Sequence, residues 1–115
     1  MVDGRRAVGL TGEDRAAAWY LAQGYEIVAR NWRCREGELD LIVRSGRQYV
    51  FCEVKARTTD AFGTGAEAVT RTKQDRVRRL AARWLDSDAP HPPREIRFDV
   101  AAVLGDDIEV IQGAY

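Results

Sequence analysis

At 115 residues the chain has room for one domain built on one hydrophobic core. Eighteen basic and eighteen acidic side chains cancel, so net charge by itself does not point to a polyanionic partner. No apolar run reaches the length of a signal peptide or a membrane span, which argues against a membrane protein and makes the cytoplasm the expected location. The neutral total hides a segregated distribution. Residues 71–83 hold Arg71, Lys73, Arg76, Arg78, Arg79 and Arg83 against Asp75. Residues 98–115 hold Asp99, Asp106, Asp107 and Glu109 with no Lys or Arg. A basic end and an acidic end are therefore expected.

In chain order, residues 1–9 are polar and contain glycine, and are expected to fray. Thr11 then precedes Gly12, Glu13 and Asp14, an N-cap followed by two acids in the first turn, which suits the helix dipole. A helix is predicted from about Gly12 to Gln23, closed by Gly24, with Ala16, Ala17, Tyr20 and Leu21 as its inward stripe. Glu13 lies four residues before Ala17 and falls on the same stripe. It either compensates the dipole, as Asp14 does, or has a special role. Tyr25 to Trp32 reads as a strand, and Arg33 to Gly37 as a loop that contains Cys34.

Residues 37–57 form a predicted hairpin with its turn at Ser45-Gly46-Arg47. In the first strand Leu39, Leu41 and Val43 share one face, and Glu38, Asp40 and Ile42 the other. The second strand is apolar on both faces, with Tyr49 and Phe51 on one and Val50, Cys52 and Val54 on the other. Such a strand is usually covered by helices on both sides. Thr58 to Gly65 reads as a loop. A helix follows from about Thr70 to Asp86, with Ala66 as an earlier alternative start. Val77, Leu80, Ala81, Trp84 and Leu85 are its inward stripe, and Lys73, one turn before Val77, faces inward with them. Arg71, Arg78 and Arg79 lie on its outer side. Ser87 to Pro93 is a turn, Glu95 to Leu104 a strand, and Ile108 to Gln112 a last short strand. The order α-β-β-β-α-β-β implies a mixed sheet with helices packed on it, an α/β fold.

The charged residues of the hairpin need an explanation, because ionised groups are costly to bury unless paired or bound to a metal. Glu53 and Lys55 project to one side of the second strand, and Asp40 can lie beside Glu53 across the hairpin. A plain Glu53–Lys55 ion pair accounts for two of these residues. Two converging carboxylates also make an oxygen-rich site for a hard divalent cation, Mg²⁺ or Mn²⁺. Lys55 would then hold or deprotonate an attacking water, or offset charge on a phosphate. Glu13 and Lys73 fall on inward helix faces and extend the constellation. The basic second helix, with Arg71 and Arg78, and Arg57 at the end of the hairpin are candidates to contact a nucleic-acid backbone. Neither Cys34 nor Cys52 belongs to a disulfide framework or a CxxC metal site. Cys52 reads as a buried small hydrophobe.

The stretch Asp40…Glu53-Val54-Lys55 resembles the PD-(D/E)XK nuclease motif, with Leu39 where that motif often has proline. More closely, the chain resembles the small bacterial YraN-type family of predicted endonuclease-like proteins. The resemblance rests on residues 12–17 (Gly-Glu-Asp-Arg-Ala-Ala), Asn31-Trp32-Arg33, residues 37–42, residues 51–57, Lys73, and Arg97-Phe98-Asp99-Val100. It implies a restriction-endonuclease-like fold, akin to Holliday-junction resolvases. It implies that Asp40, Glu53 and Glu13 hold Mg²⁺ or Mn²⁺, that Lys55 assists the water, and that Lys73 supports the site or contacts phosphate. The expected activity is hydrolysis of phosphodiester bonds in DNA, branched or otherwise structured, with a homodimer expected by analogy. A nucleic-acid-binding module with the same fold and no cleavage is the alternative.

Overall fold

Thr11 starts the first helix with its side chain. Its hydroxyl accepts from the Asp14 amide at 3.0 Å, and the Asp14 carboxylate accepts from the Thr11 amide at 3.1 Å. This capping box satisfies two donors that the helix cannot satisfy within itself. The computed structural model in which this is seen describes residues 11–57 and 69–115. The segments expected to fray (1–9) and to loop (58–65), and the alternative helix start at Ala66, lie outside the described residues.

Helix α1 spans Gly12–Ala22. Strands β1 (Glu26–Cys34), β2 (Gly37–Ser45) and β3 (Gln48–Arg57) follow, then helix α2 (Arg71–Ser87) and strands β4 (Glu95–Leu104) and β5 (Asp107–Ile111). The element order is the one expected. The five strands form one sheet in the order β1-β2-β3-β4-β5. β3 and β4 are parallel and the other neighbours antiparallel, so the sheet is mixed. Parallel neighbours need a crossover, and α2 lies in the β3–β4 connection.

The two faces of β3 each build a core. Val50 and Cys52 join Ala16, Ala17 and Tyr20 of α1, with Leu41, Val43 and Ala101. Tyr49 and Phe51 join Val77, Leu80, Ala81 and Trp84 of α2, with Leu39 and Ile42. The Trp84 ring meets Tyr49 and Phe51 edge-on, with centroids 5.6 and 5.9 Å apart. Each such buried side chain contributes roughly 1.5–3 kcal/mol by leaving water. Burial pushes the Cys52 thiol up to about 12, as suits an inert core cysteine.

Four sequence expectations change. Leu21 is 57% exposed, not part of the stripe. It sits about 90° around the helix from the centre of the Ala16–Ala17–Tyr20 face. Cys34 ends β1, half-buried against the α2-side core, with its thiol 3.2 Å from Glu36 Oε1. Leu39 packs with Ile42 on the α2 side, away from Leu41, because strand alternation breaks at Asp40. Asp99 leaves the acidic surface altogether: it is 0% exposed.

Asp99 is buried because it has partners in every direction. It accepts from Tyr20 Oη at 2.5 Å, from Arg97 Nε and Nη2 at 2.8 and 2.9 Å, and from the Gly113 amide at 3.0 Å. Burial, then the neighbouring Cys52 and Asp99, hold the Tyr20 hydroxyl far above its usual range, so it stays a donor. The network ties α1, β4 and the chain after β5 together. Removing one partner of such a group leaves the others buried and unpaired. We expect Asp99→Ala to lower unfolding free energy by about 3–5 kcal/mol, and Tyr20→Phe by about 1–3 kcal/mol. Urea titrations of both variants, with the slope unchanged, check this.

Candidate active site

The site begins where β2 and β3 stop pairing as a regular ladder. Their register runs from Ser45↔Gln48 to Leu41↔Cys52 and lapses there. Beyond it, where a continued register would set Val54 opposite Leu39, the Asp40 side chain takes over: Oδ2 accepts from the Val54 amide at 2.9 Å. On the other side of β2, Asn31 has φ 53°, a left-handed conformation that asparagine tolerates better than most residues. The β1–β2 pairs on either side of it are Arg30↔Leu41 and Trp32↔Leu39. This local bend turns Leu39 towards α2 and sets Asp40 at an opening between the strands.

Glu53 follows Cys52 on β3 and points to the α2 side, yet it is only 3% exposed. Its ion pair is with Lys73, Nζ to Oε1 at 3.0 Å. The inward placement read for Lys73 is thus realised, and α2 supplies the ion pair to Glu53. Thr70 fixes that end of α2, its hydroxyl accepting from the Lys73 amide at 3.2 Å. Burial, then the charge of Asp40, pushes the Glu53 carboxyl above its usual range, against the pull of Lys73 and Lys55. Asp40 is also pushed up, chiefly by burial, against its bond to the Val54 amide. Burial works against the charge of Lys73, but contacts with Lys55 and Glu53 outweigh it and leave the ammonium above its usual value. Asp40, Glu53, Lys55 and Lys73 therefore form one electrostatic unit.

Glu13 approaches from the other face. Gly12 lets α1 begin directly on β3: a Cβ there would stand 3.1 Å from Ala56 Cβ and 3.3 Å from Val54 Cγ1. Glu13 then lines a cleft of about 310 Å³ with Asp40, Val54 and Ala56. Its Oε1 accepts from Asn31 Nδ2 at 2.8 Å and lies 3.9 Å from Arg30 Nη2. Among the described residues, no three acidic, histidine or cysteine side chains stand together as a metal-holding group. Glu13 shares the cleft with Asp40 but is held by β1.

The donor chemistry of Asp40 and Glu53 fits a hard divalent cation. Both carboxyls are desolvated, and the charge of Asp40 further raises the proton affinity of Glu53, a setting that favours a nearby positive charge. Mg²⁺ is commonly held by one or two carboxylates, with waters and phosphate oxygens completing its shell.

The other sequence candidates are dispersed. Arg57 ends β3, and its side chain lies outside the described residues. Arg71 and Arg78 both reach Asp75, at 3.4 and 3.6 Å. Two residues gain roles that sequence reasoning did not assign. Asn31 holds Glu13; its place beside Trp32-Arg33 was the one signal available. Tyr115 stacks on Phe98 at 5.4 Å, close enough for the Glu53 charge to act on its hydroxyl.

A raised pKa means that Asp40 favours the folded state in its protonated form. That contribution is complete below the ordinary value of 3.8 and is lost as pH rises through the raised one. Asparagine keeps an acceptor for the Val54 amide and carries no charge. We expect Asp40→Asn to melt above the wild type at pH 7, with the gain shrinking as pH falls towards 4. Thermal denaturation across that range measures it, and a constant difference would contradict it.

Comparison with known proteins gives a consistent family. A model of the uncharacterised protein family UPF0102 matches residues 12–103, from the start of α1 to the last residue but one of β4. A UPF0102 protein of Beutenbergia cavernae is 56% identical over 98 residues, covering 85% of this chain and 82% of the relative. One from Parafrankia is 54% identical over 96 residues, covering 84% and 80%. One from Frankia casuarinae is 51% identical over 114 residues, covering 95% and 96%. The matched span contains α1 with Glu13, both strands of the central hairpin and Lys73 of α2, and the chain belongs to the UPF0102 (YraN-type) family.

Proposed function

We propose that this protein is a metal-dependent endonuclease of restriction-endonuclease-like fold that hydrolyses phosphodiester bonds in branched or otherwise structured DNA. The observation that carries the reading is the pairing of two desolvated carboxylates, Asp40 and Glu53, with two lysines acting on both. A structural ion pair needs one acid and one base. Here a second acid, the half-buried Asp40, acts on Glu53 at electrostatic cost and lines a cleft at the opening of the sheet.

In this reading Asp40 and Glu53 hold Mg²⁺ or Mn²⁺, and Glu13 faces the same cleft from α1. The bound cation would polarise a phosphoryl oxygen and supply an activated water. Lys73 orients Glu53 through the 3.0 Å contact and favours its ionised form against the effect of burial. Lys55, half-buried beside them, offsets charge on the phosphate or takes the proton of the attacking water. Asn31 restrains Glu13 at 2.8 Å. No described helix is long and apolar enough to cross a membrane.

Calorimetry with Mn²⁺ is expected to give binding to the wild type and none to Asp40→Ala/Glu53→Ala. Equal binding to both would remove the site. Incubated with junction, flap and linear DNAs plus Mn²⁺, the wild type is expected to nick at least one. Lys55→Ala is expected to lose about 10²–10⁴-fold of that rate, the usual range for a positioned proton-transfer group. Salt-sensitive DNA binding without nicking would instead give a binding module.

A further inference from the structure

Helix α2 carries two flanks of arginine, and they are built differently. Successive residues turn by about 100° around the axis. Arg76, Arg79 and Arg83 therefore project along one flank, and Arg71, Asp75 and Arg78 along the other. The second flank is occupied: Arg71 and Arg78 share Asp75, and the Arg78 guanidinium lies over the Phe98 and Tyr115 rings at 5.7 and 5.1 Å. The first flank faces a cleft of about 450 Å³ lined by Glu36, Arg76, Arg79, Leu80 and Arg83.

That cleft is shaped by the β1–β2 turn. Gly37 has φ 155°, and a Cβ there would stand 3.2 Å from Leu80 Cδ1 and 3.6 Å from Arg76 Cδ. Glu36 accepts from Arg83 at 2.7 Å and fixes the far end of the flank. Arg76 and Arg79 are exposed and have no acidic partner among the described residues. The cleft thus presents three guanidinium groups against one carboxylate. Lys73, the partner of Glu53, lies one turn before Arg76. From Lys73 to Arg83 the helix rises about 15 Å, while one strand of a duplex carries a phosphate about every 3.4 Å of axis.

We infer that the Arg76–Arg79–Arg83 flank binds the sugar-phosphate backbone of a nucleic-acid strand and leads it to Glu53. The inference deepens the nuclease reading and rests on it for the direction of the strand. Guanidinium forks match phosphate oxygens in pairs, and their spacing along one helix side suits several phosphates in sequence. The succession of guanidinium groups along one side of the helix, starting one turn after Lys73, is what favours a long polyanion over an isolated phosphate ion. The contacts position the strand and carry no base specificity.

The test is the salt dependence of binding to a fluorescent duplex and a fluorescent junction, with Ca²⁺ in place of Mg²⁺. Arg76→Gln/Arg79→Gln/Arg83→Gln is expected to lower the slope of log affinity against log salt by about two to three. Affinity at low salt is expected to fall at least about tenfold. The corresponding triple lysine variant keeps the slope, which separates lost charge from lost fold. Arg47→Gln, in the turn at the far end of the β2–β3 hairpin, leaves it unchanged. Inorganic phosphate at equal ionic strength displaces the DNA no better than chloride, and displacement at micromolar phosphate would make this a small-anion site and overturn the inference. If the triple glutamine variant keeps the wild-type slope while the wild type still nicks, this inference falls and the nuclease reading stands. If the wild type neither binds nor nicks, both fall.

Discussion

The bond between the Asp40 carboxylate and the Val54 amide is the point on which the rest of the site depends. A hairpin would ordinarily continue its ladder with a backbone carbonyl at this position. Here a side chain takes that place at 2.9 Å, so β3 keeps its donor satisfied while β2 swings away. The separation leaves an opening next to the buried centre of β3. Glu53, the next residue along β3 after Cys52, turns by strand alternation to the α2 side and meets Lys73.

The energetics of the opening run against stability. Glu53 is nearly inaccessible, and Asp40 adds a second negative charge beside it. Lys73 and Lys55 offset part of that cost, but burial still dominates both carboxyls. Stability is recovered elsewhere. On the α1 side, Asp99 is equally buried and fully satisfied by Tyr20, Arg97 and Gly113. The two buried acids differ in what surrounds them. Asp99 has a donor for each oxygen, while the Asp40–Glu53 pair has a like charge for a neighbour.

The same division runs through α2. One side buries Val77, Leu80, Ala81 and Trp84 against β2 and β3. Arg78 is absorbed into stacking with Phe98 and Tyr115. The flank towards Gly37 and Glu36 keeps its arginines in water, next to a cleft. A single helix thus covers the core, neutralises Glu53 and presents positive charge to solvent. It can do so because 3.6 residues per turn separate these three tasks around the axis.

Much of this was legible in the residues alone. The element order, the cap at Thr11, the doubly apolar β3 and the inward turn of Lys73 all follow from local periodicity and capping chemistry. Such signals are short-range, so a sequence carries them directly. What only the tertiary structure decided lies where alternation fails or where partners are remote. Nothing in Gly-Glu-Leu-Asp-Leu says that Asp40 will bond Val54, fourteen residues on, and turn Leu39 to the α2 side. Asp99 read as part of an acidic surface because its partners lie seventy-nine residues before it on α1, two before it on β4, and fourteen after it. Arg78 and Arg76 look alike in a helical run, and only the positions of Phe98, Tyr115 and Gly37 set them to different work. Periodicity assigns a face to each side chain, but the neighbour waiting on that face is set by folding, through contacts distant in sequence.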